Sequence, residues 1–244
     1  MRIDVVTVIT GMDQEALESR REAIGRFASP GTDIRLVVTG DGSASVESEA
    51  EMELAAPGIL RAVVDSADDG ADGVIIWGGH DPSLRAAREL VDAPVVGPGM
   101  ASMLLACSLV KRFCLLVQLP NVLTIAERQV AELGLTGRCA SIRSVDTPVL
   151  DLAGAAAFPA MLNAATAAVE QDGADGICFG CMAMTPHSAA LQAALGETHS
   201  GVVVIDPGMA AVRWTELLIG MGLTHSRRSY PSPPKAVMFA ARND

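Results

Sequence analysis

A chain of 244 residues, half of them hydrophobic and 19% charged, can bury a large core, which argues against a disordered or linker protein. The net charge of −11, the lack of a Lys/Arg cluster beyond Arg227-Arg228 and only eight aromatic side chains argue against a nucleic-acid partner. No apolar run reaches the roughly 18 residues a membrane span requires, and the opening MRIDVVTVITGMDQE is too acidic for a signal peptide; no membrane association and a cytoplasmic location are expected.

In chain order, β-rich runs alternate with helical patterns almost throughout. Strands are expected at Ile3–Ile9, Ile34–Val38, Gly73–Trp77, Val95–Gly97, Phe113–Val117, Ala140–Ser144, Gly176–Gly180 and Val202–Ile205. Between them, helices are expected at Glu15–Phe27, Glu49–Asp68, Ser83–Val91, Met100–Val110, Val122–Glu132, Ala155–Gln171, Ser188–Leu195 and Met209–Met221. Many strands are continuous apolar runs, the pattern of parallel sheets covered by helices on both faces. Asp81-Pro82, Thr185-Pro186 and Asp206-Pro207 each read as an N-cap followed by proline at the first helical position. The prolines at 231, 233 and 234 predict an irregular tail, laid over the body or trailing from it.

The chain repeats itself. GADGVIIWGG (70–79) returns as GADGICFGCM (173–182), offset by 103 positions, and VVGPGM (95–100) is echoed by VVIDPGM (203–209). The repetition predicts an α/β fold of two pseudo-symmetric Rossmann-like domains with parallel sheets and an interdomain cleft. The expected division is 1–97 plus 207–244 for the first domain and 98–206 for the second. Ligands of such sheets bind at the carboxyl ends of the strands, where helix N-termini converge. The turns expected to line the cleft are 10–12, 78–81, 118–121, 180–185 and 206–209.

In the repeat frame Cys181 falls where the first copy has Gly78, so one turn carries a thiol and its counterpart nothing. At a strand end just before a helix start, backbone N–H groups should lower the thiol pKa and favour thiolate. Such a group can take a proton, return one, or attack an electrophile. The plainer reading is a small buried hydrophobe. Cys178 completes a C-x-x-C but lies within the strand run and should pack into the core; the five cysteines suit reduced thiols rather than a disulfide framework. A metal site is not expected, because no second Cys/His pair has ligand spacing.

His80 is the expected ionisable partner of Cys181, against the plainer reading of a rim residue beside a capping Asp81. His187 should face solvent in a helix's first turn, and His199 and His225 read as loop residues. Candidate substrate-binding residues are Thr10, Gly11, Gly78, Gly79, Pro120, Asn121, Gly180, Met182 and Thr185, whose hydroxyls, amides and N–H groups suit carboxylate or carbonyl oxygens; ordinary capping and turn chemistry is the alternative. Since no arginine stands near a predicted turn of the cleft, carboxylate recognition is expected to come from N–H groups. GPGM (97–100) lacks nucleotide-binding spacing. Met100, Met103, Met182, Met184 and Met209 gather near turns, as core filling or as an apolar pocket wall.

Taken with SPGTDI (29–34), DPSLRAARE (81–89), PVVGPG (94–99), KRFCLLV (111–117), RCASIRSVDTPVLDL (138–152), GADGICFGCMAM (173–184) and MGLTHSRRSY (221–230), the pattern resembles the aspartate/glutamate/hydantoin racemase superfamily, nearest its hydantoin and allantoin racemase branch. The resemblance implies cofactor-free proton transfer by two cysteines on opposite sides of an acidic carbon. It assigns Cys181 to the second cysteine and leaves the first, at Gly78, missing. Two further departures make the pocket less polar. The Asn-Pro-Asn-Thr-Ser loop of the hydantoin type here reads Thr7-Val8-Ile9-Thr10-Gly11, and Met100 replaces an expected acidic residue. A branch with one cysteine and glycine at the other position, the arylmalonate decarboxylases, protonates an enediolate from one face.

Three readings follow. One is an isomerase or racemase acting beside a carbonyl or carboxylate, with Cys181 and His80 as acid/base groups. Another is a lyase with Cys181 as sole proton donor; cis–trans isomerisation through Cys181 belongs to the same superfamily. The third is a non-catalytic small-carboxylate-binding protein. Expected partners are a small carboxylate or hydantoin-like substrate and further copies of the chain in a homo-oligomer, with no cofactor.

Overall fold

Alternating side-chain directions explain why the strands read as unbroken apolar runs. In the computed structural model, which describes residues 1–40 and 42–234, strands β1 (Arg2–Thr7), β2 (Asp33–Val37), β3 (Gly73–Trp77) and β4 (Val95–Val96) form one parallel sheet. Strands β5 (Phe113–Val117), β6 (Cys139–Ser144), β7 (Gly176–Phe179) and β8 (Val203–Ile205) form a second. Their orders, β2-β1-β3-β4 and β6-β5-β7-β8, are the same. The duplication read from the sequence is therefore a duplication of topology.

The helices are α1 (Gln14–Gly25), α2 (Glu49–Asp68), α3 (Leu84–Leu90), α4 (Pro98–Leu109), α5 (Leu123–Glu132), α6 (Val149–Leu152), α7 (Phe158–Asp172), α8 (Ser188–Thr198) and α9 (Pro207–Gly220). Only the short α6 has no counterpart among the expected elements; four residues are too few to show a helical period. Ile3, Val5, Ile75, Trp77, Phe113, Leu115 and Val117 point into one shared core with α4 and α9. The intervening residues point outward. Val6, Val74 and Ile76 pack under α2 and α3, while Cys114, Leu116, Ile177 and Phe179 pack under α7 and α8. The α9 helix lies on α4 and β3, returning the chain to the first sheet.

Capping went as expected at only one of the three Asp/Thr-Pro pairs. The Asp206 carboxylate accepts from the N–H groups of Gly208 (2.8 Å) and Met209 (2.9 Å), with Pro207 opening α9. Asp81 does not cap α3, whose N-cap is Ser83. Its backbone is left-handed (φ 53°), and its carboxylate reaches across to the Gly99 and Met100 N–H groups at the start of α4. Thr185-Pro186 lies inside a 3-10 turn (Met182–His187), and α8 begins only at Ser188.

The tail is a strap up to residue 230. Arg227 pairs with Asp92, Arg88 donates to the Tyr230 hydroxyl (3.1 Å), and the His225 ring accepts from the Val95 N–H (2.6 Å). Of the range expected for the first domain, residues 235–244 lie outside the described residues. Among the described residues, no helix is long and apolar enough to cross a membrane.

Candidate active site

The carboxyl ends of β3 and β7 meet so closely that Gly79 touches the Gly180–Cys181 peptide. A β-carbon on Gly79 would fall inside the Gly180 carbonyl and 2.8 Å from the Cys181 nitrogen. Real non-bonded carbon contacts need about 3.5 Å, so this turn requires glycine. Gly78 is also enclosed: a β-carbon there would lie 2.9 Å from Pro82 Cδ and 3.2 Å from Val8 Cγ1.

A cavity of about 1080 Å³ opens over this junction and takes residues from both halves. Of the residues singled out from the sequence, Cys181, His80, Gly78, Gly79, Gly180, Met182 and Thr185 line it. Thr10, Gly11, Pro120 and Asn121 do not. The Thr10 N–H donates to Ser43 O (3.0 Å) and Asn121 Nδ2 to Glu47 O (2.7 Å), so both residues fasten the 42–48 loop. Gly11 and Pro120 are exposed. Turn chemistry accounts for these four positions.

Cys181 is buried, with 8% exposure, at the start of the 3-10 turn, and it lines the cavity. Burial pushes its thiol up to about 11, against the N–H of Ala183, which favours thiolate; Glu47 adds to the rise and Arg20 opposes it. The expected lowering therefore does not occur. One N–H group in a 3-10 turn does not offset the loss of water around the sulfur. All five cysteines are free, and Cys178, fully buried under α4, has its thiol raised well above the ordinary range.

The His80 ring lies beside Gly180, where Cε1 would be 3.5 Å from a β-carbon on that residue. Burial lowers its pKa, against Gln129 and Gln118, which favour the charged form. Among the described residues, neither ring nitrogen has a partner that meets hydrogen-bond geometry. Gln118 Oε1 and Thr185 Oγ1 are likewise buried without partners, and all three residues line the cavity. Buried polar atoms normally find partners; here several without one belong to residues that line a single cavity.

The sequence reading missed several lining residues. Gln118 belongs to an expected cleft turn but was not singled out. Arg20 lines the cavity from α1, contrary to the expectation that no arginine would stand there. A pattern of turns could not show this, because Arg20 sits inside a helix and reaches the cavity only through the packing of that helix. Apolar walls come from Phe27, Trp77, Val149, Leu150 and Met209. Met182 and Met209 thus form wall, whereas Met103 and Met184 are core and Met100 lies against Arg88.

His187 does not face solvent: it is buried, with Nε2 2.8 Å from Leu152 O. Asp81 is the other ionisable group beside the turn. Gln129 Nε2 donates to its carboxylate (2.9 Å), and burial pushes it up to about 7 despite three donors. Among the described residues, no group of three or more His, Cys, Asp or Glu side chains is placed to hold a metal ion.

The profile of the Asp/Glu/Hydantoin racemase family matches residues 14–215. The chain belongs to that family. It is 34% identical over 199 residues to a hydantoin racemase of Pseudomonas sp. (strain NS671), covering 80% of this chain and 77% of the relative. Among solved structures, an allantoin racemase from Klebsiella pneumoniae superposes with a TM-score of 0.88 at 32% identity, covering 97% of this chain and 95% of that one. An unliganded arylmalonate decarboxylase, at 16% identity and a TM-score of 0.58 over 90% and 92% of the two chains, shares the fold alone. The racemase-family fold places Cys181 and Gly78 at equivalent ends of its two sheets, as the repeat implied.

Proposed function

We propose that this family member is a cofactor-independent isomerase that moves a proton at a carbon next to a carbonyl or carboxylate, with Cys181 and His80 as its acid/base groups. The observation that carries the reading is the meeting of a buried thiol and an imidazole with two unpartnered nitrogens in one cavity. Burial favours the neutral form of both groups, so the resting pair is thiol and imidazole. The imidazole takes the proton from the substrate carbon, and the thiol delivers one to the resulting enolate. The imidazolium and thiolate left behind exchange protons with solvent before the next turnover.

Charge that develops on the substrate oxygen needs donors, and the Thr185 hydroxyl and the turn N–H groups after Gly180 serve that role. Gln118, on the cavity wall, carries a buried carbonyl oxygen without a partner, and a small side-chain rotation would offer it to ligand N–H or O–H groups. The test is incubation of single enantiomers of 5-substituted hydantoins and α-substituted acids in D2O. Uptake of one deuterium with loss of optical purity is expected. Neither deuterium uptake nor racemisation anywhere in the panel would sink the reading.

A second reading is favoured by Gly78, which Pro82 encloses against any larger side chain. With one thiol, decarboxylation of a disubstituted malonate-like acid is feasible: the carbon–carboxyl bond breaks, carbon dioxide leaves, and its electron pair forms an enediolate. The Cys181 thiol then protonates that carbon from one face and regains its proton from water. Carbon dioxide release together with an optically pure product distinguishes this reading from racemisation.

A further inference from the structure

The Arg20 guanidinium is the conspicuous loose end of the cavity. Among the described residues it makes no hydrogen bond or ion pair, although it is half-buried and its field reaches Cys181. Its neighbour Arg21 is engaged by Glu18 (3.0 Å); Arg26, just after the same helix, also lines the cavity but is exposed to water, whereas Arg20 is half-buried. Asp206, which lines the cavity, and Glu47, whose charge acts on Cys181, are already used. Asp206 accepts from Gly208, Met209 and the Ser188 hydroxyl (2.7 Å), and Glu47 accepts from the Val149 N–H and from Ser45 (3.3 Å).

A guanidinium partly stripped of water and left unpaired is costly, and a carboxylate matches its planar fork with two parallel hydrogen bonds. In the same cavity Phe27, Trp77, Leu150 and Met209 offer apolar wall for a hydrocarbon or aryl group. In a chain of net charge −11, a cation presented inside the cleft also distinguishes this spot from the acidic exterior.

We propose that Arg20 is the carboxylate anchor of this cavity, so that the substrate is an acid whose carboxylate pairs with Arg20 and whose apolar substituent lies along Trp77 and Phe27. Taking the bound acid as substrate rests on the proton-transfer reading; the binding itself does not. The neutral ring of a hydantoin would leave Arg20 unpaired, and the acid is therefore the preferred ligand. Arg20 selects the substrate and orients it towards Cys181.

Phenylacetate and its neutral isostere phenylacetamide are suitable probes, titrated calorimetrically into the wild-type protein and into Arg20→Gln, Arg20→Lys and Cys181→Ala variants. Wild type is expected to bind phenylacetate at least tenfold more tightly than phenylacetamide. Arg20→Gln should remove that preference, with an unchanged far-ultraviolet spectrum, while Arg20→Lys keeps part of it. Equal or undetectable binding of the two probes by wild type, or a preference that survives in Arg20→Gln, would overturn the assignment. Cys181→Ala should retain the preference. Failure of deuterium exchange in wild type with the preference intact would remove the proton-transfer reading and leave the anchor standing; exchange without any preference would do the reverse.

Discussion

Gly79 and Gly180 abut at the junction of the two sheets, so the turn opposite Cys181 supports the Cys181 peptide directly. The two turns meet here through backbone atoms. Replacing Gly79 with alanine must push the Gly180 carbonyl away and carry Cys181 with it. Overpacking of this kind costs about 1–3 kcal/mol. Urea unfolding should show that loss, and deuterium exchange should fall by more than the small fraction of unfolded protein explains.

Cys181→Ala should lower exchange or turnover by about 100-fold or more, the contribution expected of a positioned acid/base. The pH dependence of the wild type tests the donor role that both proposed chemistries give the Cys181 thiol. If thiolate is the attacking base, kcat/KM rises about tenfold per pH unit below the thiol pKa of about 11. If the thiol only donates, that group leaves the rate flat up to about pH 10 and lowers it above. A profile measured from pH 6 to 10 decides between them.

His80→Gln removes the imidazole that, among the described residues, lines the cavity beside Gly180, but keeps a hydrogen-bonding side chain. Under the two-base reading, racemisation should drop by about 100-fold. Under the one-thiol reading, carbon dioxide release should change much less. Chiral chromatography of the product, run beside gas evolution, reads both outcomes.

Gly78→Cys would supply the thiol that the family resemblance implies, but its β-carbon meets the rigid Pro82 ring at 2.9 Å. The single variant is expected to lose about 1–3 kcal/mol of stability. Adding Pro82→Ala should recover much of it, and a double-mutant cycle in urea would show that coupling. Additive effects would mean that the Pro82 ring is not what closes the position.

Asp81 gives a pH dependence of stability with a definite sign. Its folded pKa of about 7 lies above the unfolded value of 3.8, so the native state holds an extra proton between them. Stability from this group is full below about pH 4 and is lost as pH rises through 7, at up to about 1.4 kcal/mol per pH unit. His225, lowered to about 4 by burial, has the opposite slope between 4 and 6.5. Urea midpoints at pH 5 and 7.5 should therefore fall less for Asp81→Asn than for wild type. Equal changes in the two proteins would contradict the burial argument.

Local signals located most of the strands and helices, because parallel strands buried on both faces must be apolar throughout and a repeated strand–turn must recur in sequence. The expected Gly73–Trp77 and Phe113–Val117 strands and the Glu49–Asp68 helix match the structure residue for residue. The same logic singled out Cys181 and His80, since each follows a strand that ends at the cleft. It failed for Thr10 and Asn121, where a turn that resembles a binding loop instead fastens its neighbour.

The sequence by itself determined the repeated α/β plan, the strand-end turns and the single thiol set against a glycine. Tertiary packing alone decided that Arg20, in the middle of a helix, lines the cavity; that Asp81 serves α4 rather than α3; and that burial keeps Cys181 protonated. The physical reason is range. Strand formation and repetition are written in neighbouring residues, whereas desolvation and the placement of one charge near another depend on segments far apart in the chain, which only the folded structure brings together.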